Sequence, residues 1–253
     1  MLVCFDPYVG TQGNYSQEVV CAAAAAAGFD GINVPVTPRF VPDEAALEAL
    51  CGHLERFGLK APTLSYGGPS IPLPGKEQEL LAHGELVFRT AKAVGATVMS
   101  HWPRLPDGMS MEQGMEAFAA VVTALAPLAE QAGCIQAFEF EPVTAPADFR
   151  ASIDFIRDRA LPLKVTVDTT HVLNTTGDQH EAVVGLGDLI SDVHLSGHDR
   201  GEPSPDDPKI DWAGCVRGLR DIGYDGPVIA QYHLKSLASM GRVCSFMRQL
   251  LAP

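Results

Sequence analysis

The sequence predicts an α/β fold, namely a single (β/α)8 TIM barrel that occupies residues 1–253. Short β-type runs alternate with longer helical segments, the alternation repeats eight times, and a chain of 253 residues has the usual length of such a barrel. No long linker or change of composition marks a second domain. An open doubly wound sheet is less favoured, because the chain contains neither GxGxxG nor GxxxxGK[ST].

The strand candidates are short runs rich in apolar and β-branched residues. In chain order they are Leu2–Phe5, Gly31–Val34, Lys60–Leu64, Thr97–Ser100, Ile135–Glu139, Lys164–Val167, Asp192–Leu195 and Pro227–Ala230. A helical segment follows each of these runs, so the strands are predicted to be parallel and to form the inner wall of the barrel.

The helical segments carry recognisable start and stop signals. Ser110 and Gln113 have capping-box spacing at the start of one helix, and Asp211 is an N-cap residue before another. The last helical stretch runs from 235 to 251. Most of the other segments stop at glycine, which is common just past a helix C-terminus. Examples are Gly28, Gly58, Gly133 and Gly223.

Composition narrows the classes of partner. The formal net charge of −13 argues against a nucleic-acid backbone, which needs clustered Lys and Arg, and against an anionic membrane surface. No basic segment precedes an apolar signal stretch, and the alanine run 22–27 is too short to cross a bilayer. The six cysteines are scattered without a CxxC pair, which indicates reduced thiols. We therefore expect a cytoplasmic protein that binds neither nucleic acid nor membrane.

The C-terminal ends of the strands form the active-site face of such a barrel. Because residues i and i+2 of a strand share a face, each of three strand ends has a pair of polar side chains that point the same way. These pairs are Glu139 with Glu141, His194 with Ser196, and Gln231 with His233.

Strands 5 to 8 therefore offer Glu139, Asp168, His194 and Gln231 around one opening. This mixed oxygen and nitrogen shell suits a divalent ion such as Mn²⁺, Mg²⁺, Co²⁺ or Zn²⁺, with Mn²⁺ favoured. A single Asp or His at a strand end is more often a helix cap or a hydrogen-bonded residue. Four such residues on consecutive strands favour a metal site over four unrelated caps.

Several motifs of the second half resemble one known family. They are GCIQAFEFEP, VDTTH, DVHLSGHDRG and IDWAGCVRGLRDIGYDGPVIAQY. With these motifs the chain resembles the xylose isomerase-like TIM-barrel superfamily of sugar isomerases and epimerases, which also includes inosose dehydratases and endonuclease IV. The resemblance runs over nearly the whole chain. It implies carbohydrate metabolism and a small polyhydroxylated substrate, and barrels of this kind are often homodimers or homotetramers.

Carried over residue by residue, the resemblance makes Glu139, Asp168 and His194 metal ligands. It makes His171 and Arg200 groups that bind or polarise the substrate. The spacing from the preceding helix favours Glu139 as the strand 5 ligand. Glu141, which precedes a proline as in some members, remains the alternative.

The chain departs from the family at two strand ends. Gln231 stands where the epimerases usually have a glutamate that binds the metal and often acts as a base, and Asn33 stands where strand 2 often ends in glutamate. A carboxamide oxygen can still bind a cation, but it takes no proton near neutral pH. A mechanism with two opposed carboxylate bases is therefore disfavoured, whereas a mechanism with one base remains open.

The endonuclease IV branch is disfavoured as well. His101 could belong to the larger zinc cluster of that branch. However, strand 3 ends in Ser65 and Tyr66 rather than histidine, and DDPKIDW lacks the expected Asp-x-His pair. The net charge of −13 also opposes a DNA partner.

Three functions therefore remain, of which a metal-dependent sugar isomerase or epimerase acting through an enediolate leads. Glu139 or Glu141 would be its general base, with His171 among the catalytic groups. The predicted substrate-binding residues are Arg200, His101, Trp102 and His233. The alternatives are a metal-dependent dehydratase of the inosose or dehydroshikimate type, and a sugar-binding barrel that has lost catalysis.

Overall fold

A computed structural model describes residues 1–7 and 14–252, in which eight parallel strands close into a barrel in the order β1 to β8. The strands are β1 Leu2–Phe5, β2 Gly31–Pro35, β3 Lys60–Pro69, β4 Val98–Trp102, β5 Ile135–Glu139, β6 Leu163–Asp168, β7 Ile190–Leu195 and β8 Pro227–Ala230. The pairing of β1 with β8, in which Val3 lies opposite Val228, closes the ring. The predicted (β/α)8 barrel is confirmed.

The predicted strand ranges coincide with the observed ones for β1, β5 and β8, and the other strands are longer. The largest difference is in β3, which was expected to end at Leu64 and extends to Pro69. Its pairing with β4 shifts register after Ser65 and resumes where Pro69 lies opposite Trp102. This extension depends on hydrogen bonds to a neighbouring strand, so the local sequence does not reveal it.

Helices cover the outside of the barrel. They are α1 Gln17–Ala27, α2 Glu44–Phe57, α3 Glu77–Val94, α4 Met111–Ala132, α5 Phe149–Asp158, α6 Thr169–Thr175, α7 Gln179–Leu186, α8 Trp212–Asp221 and α9 Met240–Leu250. The predicted capping box of Ser110 and Gln113 is present, and Asp211 caps α8. The final helix starts at Met240 rather than 235, after a short 3-10 turn over Leu237–Ser239.

Packing between β5 and the outer helices orients the site. Phe138 is fully buried and contacts Phe118 of α4 and Phe155 of α5, with ring centroids 5.6 and 6.3 Å away. Since alternate side chains of a strand point to opposite faces, the neighbouring Glu139 points into the barrel. Burial of an aromatic side chain of this size stabilises the fold by roughly 1.5–3 kcal/mol, which fixes the orientation of the strand.

No helix within residues 1–7 and 14–252 combines the length and the apolar character that a membrane crossing requires.

Candidate metal centre

A cavity of about 470 Å³ opens at the C-terminal ends of the strands. Its volume falls in the range of small-molecule sites. Its lining is formed by Asp6, Ser65, Tyr66, Gly67, Gly68, Pro69, Ser100, His101, Trp102, Glu139, Glu141, His194, Arg200 and Gln231. The cavity therefore lies on the face where the sequence places the polar strand ends.

Glu139, Asp168 and His171 form a buried group whose potential ligand atoms all lie within 4.8 Å of one another. His194 adjoins this group, because its Nδ1 lies 3.3 Å from Oε1 of Glu139. Carboxylate oxygens and imidazole nitrogens together suit a divalent transition metal. The residues present thus fit a metal ion, and His171 lies closer to the predicted ligands than the sequence indicated.

Asp168 has two roles in the structure. Its Oδ1 accepts hydrogen bonds from the backbone N–H groups of Thr170 (2.7 Å) and His171 (3.2 Å), which makes it the N-cap of α6. Its Oδ2 accepts from Arg200 at 2.8 Å and from Ser196 at 3.1 Å. The helix-cap interpretation is therefore confirmed for Oδ1. The role of Asp168 as a metal ligand stays a prediction, for which Oδ2 is the oxygen that remains on the side of Arg200.

Arg200 lies directly against the predicted ligands. Its guanidinium donates to Oδ2 of Asp168 at 2.8 Å, to Nε2 of His171 at 2.5 Å, and to Oε1 of Gln231. Two of these contacts, to Asp168 and Gln231, are with residues that are predicted to hold a metal ion. The Arg200 side chain also lines the cavity.

The backbone that carries Arg200 is strained. Asp199 and Arg200 both have positive φ angles, of 55° and 59°, although neither residue is glycine. Each such residue costs on the order of 1–3 kcal/mol, and conformations of this kind cluster at functional sites. The Arg200 carbonyl accepts a hydrogen bond from the backbone N–H of His233 at 2.8 Å, which helps to hold the turn.

The charges of the cluster are strongly coupled. Burial by itself raises the pKa of Glu139, but electrostatic interactions with His171 and Arg200 and the hydrogen bond from His194 bring it well below its usual range. Burial lowers the pKa of His194, yet its hydrogen bonds to Asp192 and Glu139 raise it well above its ordinary value. Nδ1 of His194 lies 3.3 Å from Oε1 of Glu139. A lone pair on this nitrogen would repel the carboxylate oxygen, so Nδ1 must either carry a proton or bind a cation.

Glu141 lies at the cavity wall, outside the group of potential ligands. Its Oε1 accepts the indole N–H of Trp102, and its Oε2 lies 3.7 Å from Nδ1 of His171. His171 is thereby placed between two carboxylates, since its Nε2 lies 3.6 Å from Glu139. The two glutamates that strand periodicity could not separate thus occupy different positions, with Glu139 in the ligand group and Glu141 beside the cavity.

His101 lines the cavity, but both of its ring nitrogens are already engaged. Nε2 lies 3.0 Å from Oε1 of Gln136, which can only accept, so Nε2 carries the proton. Nδ1 then accepts from the hydroxyl of Ser70 at 3.0 Å. These contacts match a core histidine, and its predicted binding of substrate stays a prediction.

Substitution of His101 is expected to change how stability depends on pH. Burial lowers the pKa of His101 to about 4, despite the opposing hydrogen bond to Gln136. The unfolded chain takes up the proton near pH 6.5 and the folded chain only near pH 4, so acidification through this window favours unfolding by up to about 3 kcal/mol. The difference in unfolding free energy between the wild type and His101→Asn should narrow by this amount as the pH falls.

Denaturant titrations between pH 7 and pH 4 would measure this effect. His233→Asn, which removes an exposed imidazole, is the matched control. A difference between the wild type and His101→Asn that stays constant over this range would contradict the assignment of His101 as a buried neutral residue.

The structure does not bring His233 into the cavity. Strand β8 ends at Ala230, so the alternation that pairs Gln231 with His233 no longer holds beyond the strand. His233 is exposed, whereas Gln231 is buried and lines the cavity. Gln231 therefore lies on the side that strand parity predicts and His233 does not, while the roles predicted for the two residues stay predictions.

Two acidic residues were not selected from the sequence. Asp6 is buried after β1, and its Oδ2 accepts from the amides of Asn33 (2.8 Å) and Gln231 (3.3 Å). Asp192 lies on β7 two residues before His194, with its Oδ2 3.3 Å from Nε2 of His194. Strand-end position could have indicated Asp6, and the i, i+2 spacing could have indicated Asp192. The side-chain amides of Asn33 and Gln231 thus converge on one oxygen of Asp6.

Comparisons with known proteins agree with this architecture. The family model described as xylose isomerase-like TIM barrel matches residues 21–250. A comparison with curated protein sequences gives no match. Since the family model covers most of the chain, the family resemblance predicted from the motifs is confirmed.

Solved structures share the fold at low identity. D-psicose 3-epimerase from Clostridium cellulolyticum H10, solved with D-tagatose, is 16% identical with a TM-score of 0.85, and the alignment covers 99% of both chains. The apo 3-keto-D-glucoside 4-epimerase from E. coli is 15% identical with a TM-score of 0.84, over 98% of this chain and 99% of that one. The IolI protein with a zinc atom is 17% identical with a TM-score of 0.82, over 100% and 98%.

At such identities these neighbours establish the fold, and the family assignment depends on the match over residues 21–250. That match agrees with the closed parallel barrel and with the polar residues at its C-terminal strand ends. The chain belongs to the xylose isomerase-like TIM barrel family.

Proposed function

We propose that the protein is a metal-dependent isomerase or epimerase that acts on a small polyhydroxylated carbonyl compound through an enediolate. The observation that carries this proposal is the buried group of Glu139, Asp168 and His171, whose ligand atoms lie within 4.8 Å of one another beside a cavity of about 470 Å³. Structural neighbours that are sugar epimerases, one of them solved with D-tagatose, support the same substrate class.

The predicted ligands Glu139, Asp168, His194 and Gln231 would hold the ion, and His171 is within reach as a further donor. When bound, a divalent ion polarises a carbonyl and a neighbouring hydroxyl, and it stabilises the negative charge that develops on their oxygens. Mn²⁺ is the ion that we favour for this mixed oxygen and nitrogen set. Arg200 and His171, which contact one another at 2.5 Å, are suited to hydrogen-bond the substrate oxygens.

Glu141 is the general base that we propose. Glu139 is enclosed by His171, His194 and Arg200, so it belongs to the ligand set. Glu141 lines the cavity, and the Trp102 indole holds one of its oxygens so that the other can face a substrate. From this position it would take the proton from the carbon next to the carbonyl.

A single carboxylate base has a consequence for the reaction. It can return the proton to the neighbouring carbon from the same side, and this transfer interconverts an aldose and a ketose. Inversion at one carbon needs a second group on the opposite side, and the Gln231 amide is unable to take or give that proton near neutral pH. Isomerisation is therefore easier than epimerisation with these residues, unless His171 supplies the second proton.

The reaction can be tested with the Mn²⁺-loaded protein and a panel of ketopentoses and ketohexoses in D₂O, followed by NMR. An isomer of unchanged carbon skeleton that carries deuterium next to the carbonyl is the expected product. Absence of both turnover and solvent exchange for every sugar, in a protein with full metal content, would contradict the proposal.

A dehydratase is the second candidate, because Gln231 replaces the second carboxylate and a dehydration needs only the ion and one base. Its substrates would be of the inosose or dehydroshikimate class. Mass spectrometry separates the two candidates, since isomerisation conserves the mass and dehydration lowers it by one water.

Gln231→Glu tests the third possibility, a sugar-binding barrel without catalysis. The new carboxylate would add a charged ligand beside Arg200, although it would lose the amide contact to Asp6 at 3.3 Å. We expect the variant to bind Mn²⁺ about tenfold more tightly, which corresponds to about 1.4 kcal/mol. Calorimetric titration of both proteins measures this difference.

Parallel activity assays of the wild type and Gln231→Glu separate a catalytic barrel from a non-catalytic one. If the wild type neither binds the ion nor turns over a sugar while Gln231→Glu does both, the natural chain is a degenerate barrel. If the wild type does both, the non-catalytic alternative is excluded.

A further inference from the structure

Asp192 is a fully buried carboxylate that does not line the cavity. It lies on β7 two residues before His194, so both side chains point into the barrel. A buried carboxylate is costly unless hydrogen bonds satisfy its oxygens. The partners of Asp192 therefore indicate what this residue does.

One oxygen of Asp192 is occupied by hydroxyl groups. Oδ1 accepts from Thr166 Oγ1 and from Ser191 Oγ, each at 2.8 Å. Because a carboxylate can only accept, the Thr166 hydroxyl must donate to it, and Thr166 must in turn accept from Ser100 at 2.7 Å. The hydroxyls of Ser100 and Thr166 thus form a chain that runs from the cavity wall to Asp192 with a fixed donor direction.

The other oxygen faces His194. Oδ2 lies 3.3 Å from Nε2 of His194, and within the described part of the chain each of these two buried atoms has no hydrogen-bond partner, so they are left facing one another. An oxygen that only accepts requires a proton on the nitrogen opposite. The remaining ring nitrogen, Nδ1, points to Glu139 and hence to the ligand group.

We propose that Asp192 is a positioning residue that keeps the proton of His194 on Nε2 and thereby presents the Nδ1 lone pair to the metal. This inference rests on the proposed metal-dependent function, and it assigns a role to a residue that does not touch the substrate. A carboxylate that binds the far nitrogen of a ligating histidine both orients the ring and increases its basicity.

The structure also indicates what happens without Asp192. Glu139 lies 3.3 Å from Nδ1, so a His194 that has lost Asp192 can instead place its single proton on Nδ1 and donate it to Glu139. In that tautomer the two ligands His194 and Glu139 are hydrogen-bonded to each other, and Nδ1 has no lone pair for the ion. Metal binding must first break this hydrogen bond and move the proton, which weakens the metal affinity.

The first experiment examines His194 in the wild type. Long-range ¹H–¹⁵N NMR of the histidine-labelled, Zn²⁺-loaded protein reads the protonation of each ring nitrogen, and His194→Gln assigns the signal. We expect a proton on Nε2 and the metal on Nδ1. A His194 that binds Zn²⁺ through Nε2, or that has no proton on this atom, would overturn the proposal.

The second experiment measures Zn²⁺ affinity by competition with a chromophoric chelator. Asp192→Ala should weaken binding by about 10–100-fold. Ser191→Ala, which removes one hydroxyl from the same carboxylate without touching His194, should change it much less. Equal affinities of Asp192→Ala and the wild type would overturn the role of Asp192 alone. A wild type that binds no divalent ion would overturn the proposed function as well.

Discussion

Asp168→Asn is expected to empty the metal site while the barrel remains folded. The substitution removes the negative charge that faces Arg200 at 2.8 Å, and one of two carboxylates in the group of potential ligands. Loss of the ion removes several kcal/mol of stabilisation from the developing negative charge, so kcat should fall at least about 10³-fold. Elemental analysis of the purified variant and the wild type measures the first effect, and the sugar assay measures the second.

The choice of Asn separates the two roles of Asp168. Asn is also a good N-cap residue, so it can keep the hydrogen bonds to Thr170 and His171 that start α6. Asp178→Asn changes the exposed cap of α7 in the same way and is the matched control. Unchanged metal content in Asp168→Asn would contradict the site assignment, whereas equal loss in both variants would indicate a general effect of cap substitution.

Glu141→Gln is expected to slow proton transfer strongly without loss of metal. The amide oxygen can still accept from Trp102, so the side chain should keep its position beside the cavity. General-base catalysis typically contributes 10²- to 10⁴-fold, so kcat and the rate of solvent deuterium exchange should fall by about this factor. Metal analysis and exchange measured by NMR on the same sample test both parts.

Glu139→Gln is the matched variant on the same strand. It removes a carboxylate from the ligand group, so both metal content and exchange should be lost. If Glu141→Gln keeps full activity, Glu141 is not the base, and Glu139 would have to combine ligand and base. This pair of variants therefore resolves the choice between two glutamates that lie two positions apart in the sequence.

Arg200 contacts both predicted metal ligands and the cavity. Two of its contacts, to Asp168 and Gln231, are to predicted metal ligands, and its side chain also lines the cavity. The left-handed φ of 59° holds its backbone in a conformation that a relaxed loop would rarely adopt. From its place on the cavity wall, the guanidinium could also donate to a negatively polarised substrate oxygen.

Local sequence signals are enough to predict the barrel and the positions of most of its elements. Caps such as Ser110 with Gln113 act within one helical turn, and glycines such as Gly133 are needed where φ becomes positive. The motifs also determined the family and the strand ends that carry Glu139, Asp168 and His194. These features could be predicted because each depends on neighbours close in the chain.

The division of the polar residues between the ligand group and the cavity wall depends on the tertiary structure. Periodicity treats Glu139 and Glu141 alike, but β5 ends between them, so one joins the ligand group and the other lies beside the cavity. His171 reaches the same group because Asp168 starts a helix there, and Arg200 enters it from the loop after β7. These arrangements depend on contacts between distant strands and loops, whose distances are set by packing across the whole barrel.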